Sequence, residues 1–202
     1  MAMQPPAYPQ GQPQGQPPPK KGMSTCLIVA IVIAVISVPV IGVMAALGIY
    51  GVRRYITTAK TAEAKNTIGA ITRAAVAAYE RENHDSPPGH HLCASAIPVP
   101  AKVPAGTKYM PSSAPGADFD TGNDEAGWKC LKFSLANPTY YQYGYVTGAG
   151  SGMSGATANG FEASARGDLN GDGVYSFFAR GADVRNGAVI INTQLFIENE
   201  FE

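Results

Sequence analysis

In a chain of 202 residues, fifteen lysines and arginines balance fifteen aspartates and glutamates, so no net positive field is offered to nucleic acid. Charged residues make up only 15% of the chain, against roughly 25% in an ordinary soluble domain, and this excludes a wholly solvated globule. The first 22 residues, beginning MAMQPPAYPQGQPQGQPPP, hold proline, glutamine and glycine with no aliphatic periodicity, which predicts a disordered leader. A tract of this kind serves as a flexible leader or as a polyproline ligand.

Residues 23–52 follow without a single charge between Lys21 and Arg53. The aliphatic run from Cys26 to Tyr50 exceeds the ~20 residues that cross hydrocarbon, which predicts a transmembrane helix. Pro39 removes one backbone donor and would kink or locally melt that helix, a defect membrane helices accept when neighbouring groups satisfy the freed carbonyl. Lys20 and Lys21 also precede the run as the charged region of a signal peptide does. The run is longer than the roughly 7–15 apolar residues of such a peptide, and no Ala-x-Ala-like site closes it. Lys20 and Lys21 on one side against Arg53 and Arg54 on the other leave orientation undecided by charge.

Residues 53–83 bring the charges back without a proline, and only Gly69 interrupts a helix-favouring composition, so the helix is expected to continue out of the membrane. Ala64, Ile68, Ile71, Ala75 and Ala78 alternate spacings of four and three and align as one apolar stripe, with Lys60, Lys65, Arg73 and Glu80 off it. The stripe is narrow and rich in alanine, suited to close packing on a sheet or a second helix. The two halves would form one element of about sixty residues approaching 90 Å, of which about a third suffices for a bilayer.

The helix is expected to end near Asn83, before Pro87 and Pro88. Residues 84–127 read as a long variable loop whose prolines and glycines oppose extended regular structure. Residues 128–202 read as an antiparallel β head with four strands, Trp128 to Leu135, Tyr140 to Thr147, Phe161 to Arg166 and Val174 to Ala179. Alternation places Leu131, Phe133 and Leu135 on one face and Tyr141, Tyr143 and Tyr145 on another. Glycine-containing connectors suggest consecutive hairpins, and Ala188 to Ile197 adds an edge strand or lies along the sheet. The fold class is thus α+β, a long N-terminal membrane-spanning helix packed on a small antiparallel sheet of about four strands.

Cys26 lies in the apolar run, leaving Cys93 and Cys130 as the pair in the remainder, in a region without the CxxC or His spacing of a zinc site. A disulfide closing that loop would contribute roughly 3–4 kcal/mol and would place the part after residue 53 in an oxidising compartment such as the periplasm. Two buried free thiols are the alternative. Asp168-Leu169-Asn170-Gly171-Asp172-Gly173 matches the first half of a calcium loop, with oxygen ligands at Asp168, Asn170 and Asp172. The acid expected at the twelfth position falls on Ala179, so the segment is either a polar hairpin turn or a calcium site completed by a distant carboxylate such as Asp183. His84, Asp85, His90 and His91 lie in a Pro-Gly loop without ligand spacing. Tyr140, Tyr141, Tyr143 and Tyr145 suit a thin core with one wet edge. No Ser-His-Asp, Cys-His or paired-carboxylate arrangement stands out, so no enzyme is expected.

Taken together, Lys20-Lys21-Gly22 before an uncharged run, the stretch from Tyr55 to Ala64, and the segments WKCLKFSL, YYQYGY and ARGDLNGDG resemble the type IV pilin and pseudopilin family, of the delta-proteobacterial type. The resemblance covers most of residues 20–202. It implies cleavage after Gly22 by a prepilin peptidase and methylation of the new N-terminus at Met23. It further implies a structural subunit of a type IV pilus or pseudopilus-like fibre, in attachment, motility or secretion. Such a subunit assembles through its apolar helix with itself or other pilins and meets the pilus or secretion assembly machinery. Its place would be the bacterial inner membrane, single pass, with the N-terminus cytoplasmic, the head periplasmic, and the fibre extracellular after assembly. Leu27 stands where the family carries a glutamate at the fifth mature position, and the apolar stretch is about six residues longer than the family's register. The alternative is therefore a single-pass membrane-anchored binding module with a pilin-like head that does not polymerise. Some pseudopilins hold calcium in this part of the head, so calcium is the one cofactor the resemblance brings into view.

Overall fold

The computed structural model describes residues 15, 22–81 and 89–202, which fall into two compact units, Met1–Ile49 and Tyr50–Glu202. Both are entered by helix α1, Thr25–Glu80, which bears out a helix continuing past the apolar run. Its expected end near Asn83, together with Pro87 and Pro88, lies outside the described residues.

In the first unit α1 is apolar on every side, and its large side chains from Leu27 to Ile49 are exposed. No charge interrupts the run and its residues are mostly aliphatic, so nothing local competes with the i to i−4 ladder except Pro39. The carbonyl deprived of its donor is that of Val35, four residues before the proline. The nearby Ser37 hydroxyl donates instead to the Ala34 carbonyl at 3.3 Å.

In the second unit α1 buries one stripe. Ala64, Ile68, Ile71, Ala75 and Ala78 are all buried, as the spacing of four and three requires, joined by Thr61, Thr67, Thr72 and Tyr79. They share a single core with the inner face of an antiparallel sheet. Its strands are β1 (Ala96–Val99), β2 (Tyr141–Thr147), β3 (Gly160–Gly167), β4 (Ser176–Arg185), β5 (Ala188–Ile191) and β6 (Phe196–Glu198). The order is β1-β2-β3-β4-β5, and β6 also pairs with β4. The two last strands share one edge of β4, β6 beside Phe177–Ala179 and β5 beside Ala182–Arg185.

Register explains how so slight a helix stripe closes a core. Tyr143 and Tyr145 on β2 stand opposite Ala165 and Ala163 on β3, so each large ring lies beside a methyl group. Tyr141 pairs with Gly167, where an added Cβ would come within 2.5 Å of the Tyr141 ring. That ring meets Phe178 of β4 edge-on at 5.8 Å, and Tyr145 meets Phe161 at 5.4 Å. Aromatic mass from β2 and β4 therefore fills the volume that the alanines of α1 and β3 leave open.

Four sequence expectations are corrected. The sheet has six strands where about four were expected. Trp128 to Leu135 is no strand: Gly127–Leu131 forms the short helix α2, ended by Lys132 in the left-handed region at φ 52°. Alternation of Leu131, Phe133 and Leu135 mimics a strand, but Trp128, Cys130, Leu131 and Phe133 are buried irrespective of that alternation. The expected loop 84–127 contributes β1 and a 3₁₀ turn at Asp118–Asp120. Pro98 sits in β1 because that strand pairs on one side only, with β2, and an edge position tolerates a missing donor. The expected C-terminal edge segment divides into β5 and β6, separated by Asn192–Leu195.

Candidate functional site

The most extensive feature that soluble packing does not explain is the first half of α1. Leu27, Ile33, Val38, Ile41, Leu47 and their neighbours expose aliphatic side chains on every side of the helix. The helix is long and apolar enough to cross a membrane. A helix apolar all round belongs in lipid or among other helices. Gly22 and Met23 lie exposed just before its first turn, and Leu27 is exposed within it. No acid occurs in that turn.

On the head, Cys93 and Cys130 form a disulfide with their Cα atoms 5.8 Å apart, settling the pairing against two free thiols. The bond joins the approach to β1 with α2. Around it the Cys93 carbonyl accepts the Tyr145 hydroxyl at 3.1 Å and the Thr147 hydroxyl at 2.6 Å, while an Arg81 amino group donates to the Cys130 carbonyl. Trp128 donates through Nε1 to the Ile97 carbonyl at 2.8 Å and packs edge-on against Phe119 at 4.9 Å. Loop, α2 and β2 are thus tied into one structure beside the end of α1. Burial pushes the Tyr145 hydroxyl up to about 12, so it remains a donor throughout the physiological range.

The turn from Asp168 to Gly173 is closed by its own backbone. Asp168, buried, accepts the Gly171 amide at 2.6 Å and the Gly173 amide at 3.1 Å. Asn170 accepts the Asp172 amide at 2.9 Å and Asp172 accepts that of Val174 at 2.8 Å. Side-chain oxygens that an ion would use are engaged by successive amides, the polar-turn chemistry that Asp and Asn provide. Asp183 cannot complete a site here. It pairs with Gly160 at the far end of β3, seven residues from Gly167 and so roughly 20 Å away at strand rise. Among the described residues no three His, Cys, Asp or Glu side chains gather as metal ligands. His84 and Asp85 lie outside the described residues. His90 hydrogen-bonds through Nδ1 to the Tyr79 carbonyl at 2.9 Å.

Sequence reasoning missed the strap between β2 and β3. Its glycines read as a hairpin connector, whereas Ser154 to Ala156 lie directly over Gly181 on the outer sheet face. A Cβ on Gly181 would stand 2.8 Å from the Ser154 carbonyl oxygen and the Ala156 amide. Two buried carboxylates anchor the strap. Glu162 accepts the Ser151 hydroxyl at 2.6 Å and its amide at 3.1 Å. Asp183 accepts the Thr157 amide at 2.7 Å and its hydroxyl at 2.9 Å. The Thr157 amide bond, more than the Thr157 hydroxyl and Arg185, holds the Asp183 carboxyl below its ordinary value despite burial. Between the strap and the link from β5 to β6 runs an open groove of about 500 Å³ lined by Met153, Asn192, Gln194 and Phe196 among others. The legible signal was a single acid in each of the two strands beneath the strap, Glu162 in β3 and Asp183 in β4.

Compared with protein-family models, characterised proteins and solved structures, the chain matches none of them.

Proposed function

We propose that this protein is a structural subunit of a type IV pilus or pseudopilus-like fibre, held in a bacterial inner membrane before assembly. The observation that carries the reading is the contrast within α1. Leu27 to Ile49 is exposed and apolar on every side, whereas Ala64 to Ala78 buries one stripe under the sheet. The first half then has two environments open to it, acyl chains or the helices of neighbouring subunits. Assembly exchanges one for the other. Ala30, Ala34, Gly42, Ala45 and Gly48 permit close helix approach, which is how helices associate where no hydrophobic gain is available. The N-terminus would face the cytoplasm and the disulfide-bearing head the periplasm, where such a bond persists. Its partners are other pilins, a prepilin peptidase cutting after Gly22, and the fibre assembly machinery. No catalytic step is assigned to it.

One observation favours a second reading. Leu27 occupies the position where the resembled family carries its assembly glutamate, and α1 has no acid in its first turn. A single-pass anchored binding module, its head displayed without polymerising, accounts for that. Intact mass and N-terminal sequencing of protein from membranes and from sheared surface material separate the two. A chain beginning at methylated Met23 in the sheared fraction is the expected result. A chain keeping residues 1–22 and confined to the membrane would leave the anchored module.

A further inference from the structure

The unit Tyr50–Glu202 carries an exposed apolar collar where the uncharged stretch of α1 ends. Tyr50, Tyr55 and Ile56 are 64%, 76% and 49% exposed, and Phe201, brought to α1 from the C-terminal turn, is 42% exposed. Beside these side chains stand two cations. The Arg54 guanidinium stands over the Phe201 ring at 4.9 Å from its centroid, and the adjacent Arg53 is exposed. Scattered apolar side chains on a surface are ordinary, but aromatic and basic side chains ringing a helix where its apolar run ends suit the boundary between membrane and water.

We propose that this collar, Tyr50, Arg53, Arg54, Tyr55 and Phe201, docks the head unit on the anionic phospholipid headgroups of the bilayer surface. The inference rests on the reading that α1 crosses a bilayer. Arg53 and Arg54 are the first charges after a run that ends at Val52, so they fall at headgroup depth if the run fills the hydrocarbon. A guanidinium offers paired N–H donors matched to a phosphate. Tyrosine prefers the boundary between acyl chain and water, its ring in one and its hydroxyl in the other. The nearby acids are largely committed elsewhere. Glu200 pairs with Lys65 at 2.5 Å and Glu202 accepts the Asn170 side-chain amide at 2.7 Å, while among the described residues neither Glu198 nor Glu202 makes an ion pair. The Phe201 ring holds the Arg54 plane in place and adds an apolar wedge, so the C-terminal turn is part of the docking surface.

The test uses the full chain carrying Phe201→Trp, reconstituted in vesicles of phosphatidylcholine alone or mixed with phosphatidylglycerol, with brominated acyl chains as quencher. Trp128 is fully buried, so the parental chain supplies the unquenched background. Quenching of the new indole is expected in phosphatidylglycerol vesicles, weakening in high salt and in phosphatidylcholine alone. Arg53→Gln and Arg54→Gln should each lower the docked-to-free ratio about fivefold, the effect of one basic residue near an anionic surface. Equal quenching with both lipids would overturn recognition of anionic headgroups. A chain that floats with the vesicles yet shows no quenching would overturn the docking alone, while a chain that does not float would overturn the membrane-crossing reading first.

Discussion

Asp183 shows how one residue fixes a segment distant from it in sequence. Its side chain is almost fully enclosed, yet it remains charged because the Thr157 amide and hydroxyl and the exposed Arg185 guanidinium surround it. Its carboxyl is held below the ordinary aspartate value in the folded state. The stabilisation is therefore complete above the unfolded value of about 3.9 and is lost as pH falls through the lowered native value. Amide exchange of Thr157, corrected for intrinsic rate, should stay slow down to about pH 4 and accelerate only below it. Asp183→Ala should bring the same loosening at neutral pH and cost about 2–3 kcal/mol, the worth of hydrogen bonds to a charged group, read from denaturant unfolding of the full chain in detergent. Unchanged protection at Thr157 in that variant would remove Asp183 as the anchor. Gly181 acts in the opposite sense. It leaves the room that the Ser154 carbonyl and Ala156 amide occupy, so Gly181→Val should displace the strap without altering charge.

Among the elements, α1 is the one most open to sequence reasoning, because its periodicity is carried by the side chains that do the packing. Ala64, Ile68, Ile71, Ala75 and Ala78 could be read as a stripe, and each is buried. β2 was equally open, since Tyr141, Tyr143 and Tyr145 alternate and all three are fully enclosed. What failed was short and governed by tertiary contacts. The four residues of β1 contain a proline, and only their pairing with β2 makes them a strand. α2 is five residues long, too short for any period to register, and its position is set by the disulfide and by Trp128 bonding to Ile97. The strap was missed because glycine-rich sequence specifies freedom rather than a place to rest, and its signal lies outside it, in the acids Glu162 and Asp183 of the strands beneath. The same distinction predicts unequal mutational costs along one helix. Ile68→Ala or Ile71→Ala should destabilise the head by about 2–5 kcal/mol, since each leaves a cavity beneath the tyrosines of β2. Ile33→Ala or Ile41→Ala, exposed in the first unit, should leave thermal unfolding of the head unchanged and alter membrane retention or assembly instead. Equal destabilisation by both pairs would mean that the apolar half also supports the head core.

At the scale of the whole molecule, the disulfide couples stability to the compartment in which the head resides. Cys93 and Cys130 are separated by 37 residues, and closing a loop of that length restricts the unfolded chain by about 4 kcal/mol on the chain-entropy estimate. The segment it closes contains β1, the Asp118–Asp120 turn and α2, elements too short to persist alone. Reduction should therefore loosen this region first, with amide protection lost from Ala96–Val99 before it is lost from β3 and β4, which lie in the middle of the sheet. Cys93→Ser and the double variant Cys93→Ser/Cys130→Ser should both unfold more easily by about that amount, and their agreement would assign the loss to the bond rather than to a stranded thiol. The same bond reports orientation. In cells with an oxidising periplasm, a head delivered there should resist alkylation by a maleimide at Cys93 and Cys130 until it is reduced. Cys26, exposed on the apolar half of α1, should be shielded by lipid and react only after detergent is added. Alkylation of Cys93 and Cys130 in a denaturing detergent lysate of spheroplasts without a reductant would place the head in the cytoplasm. That result would remove the disulfide as the anchor of β1 and α2 in the cell, and with it the proposed direction of the membrane span.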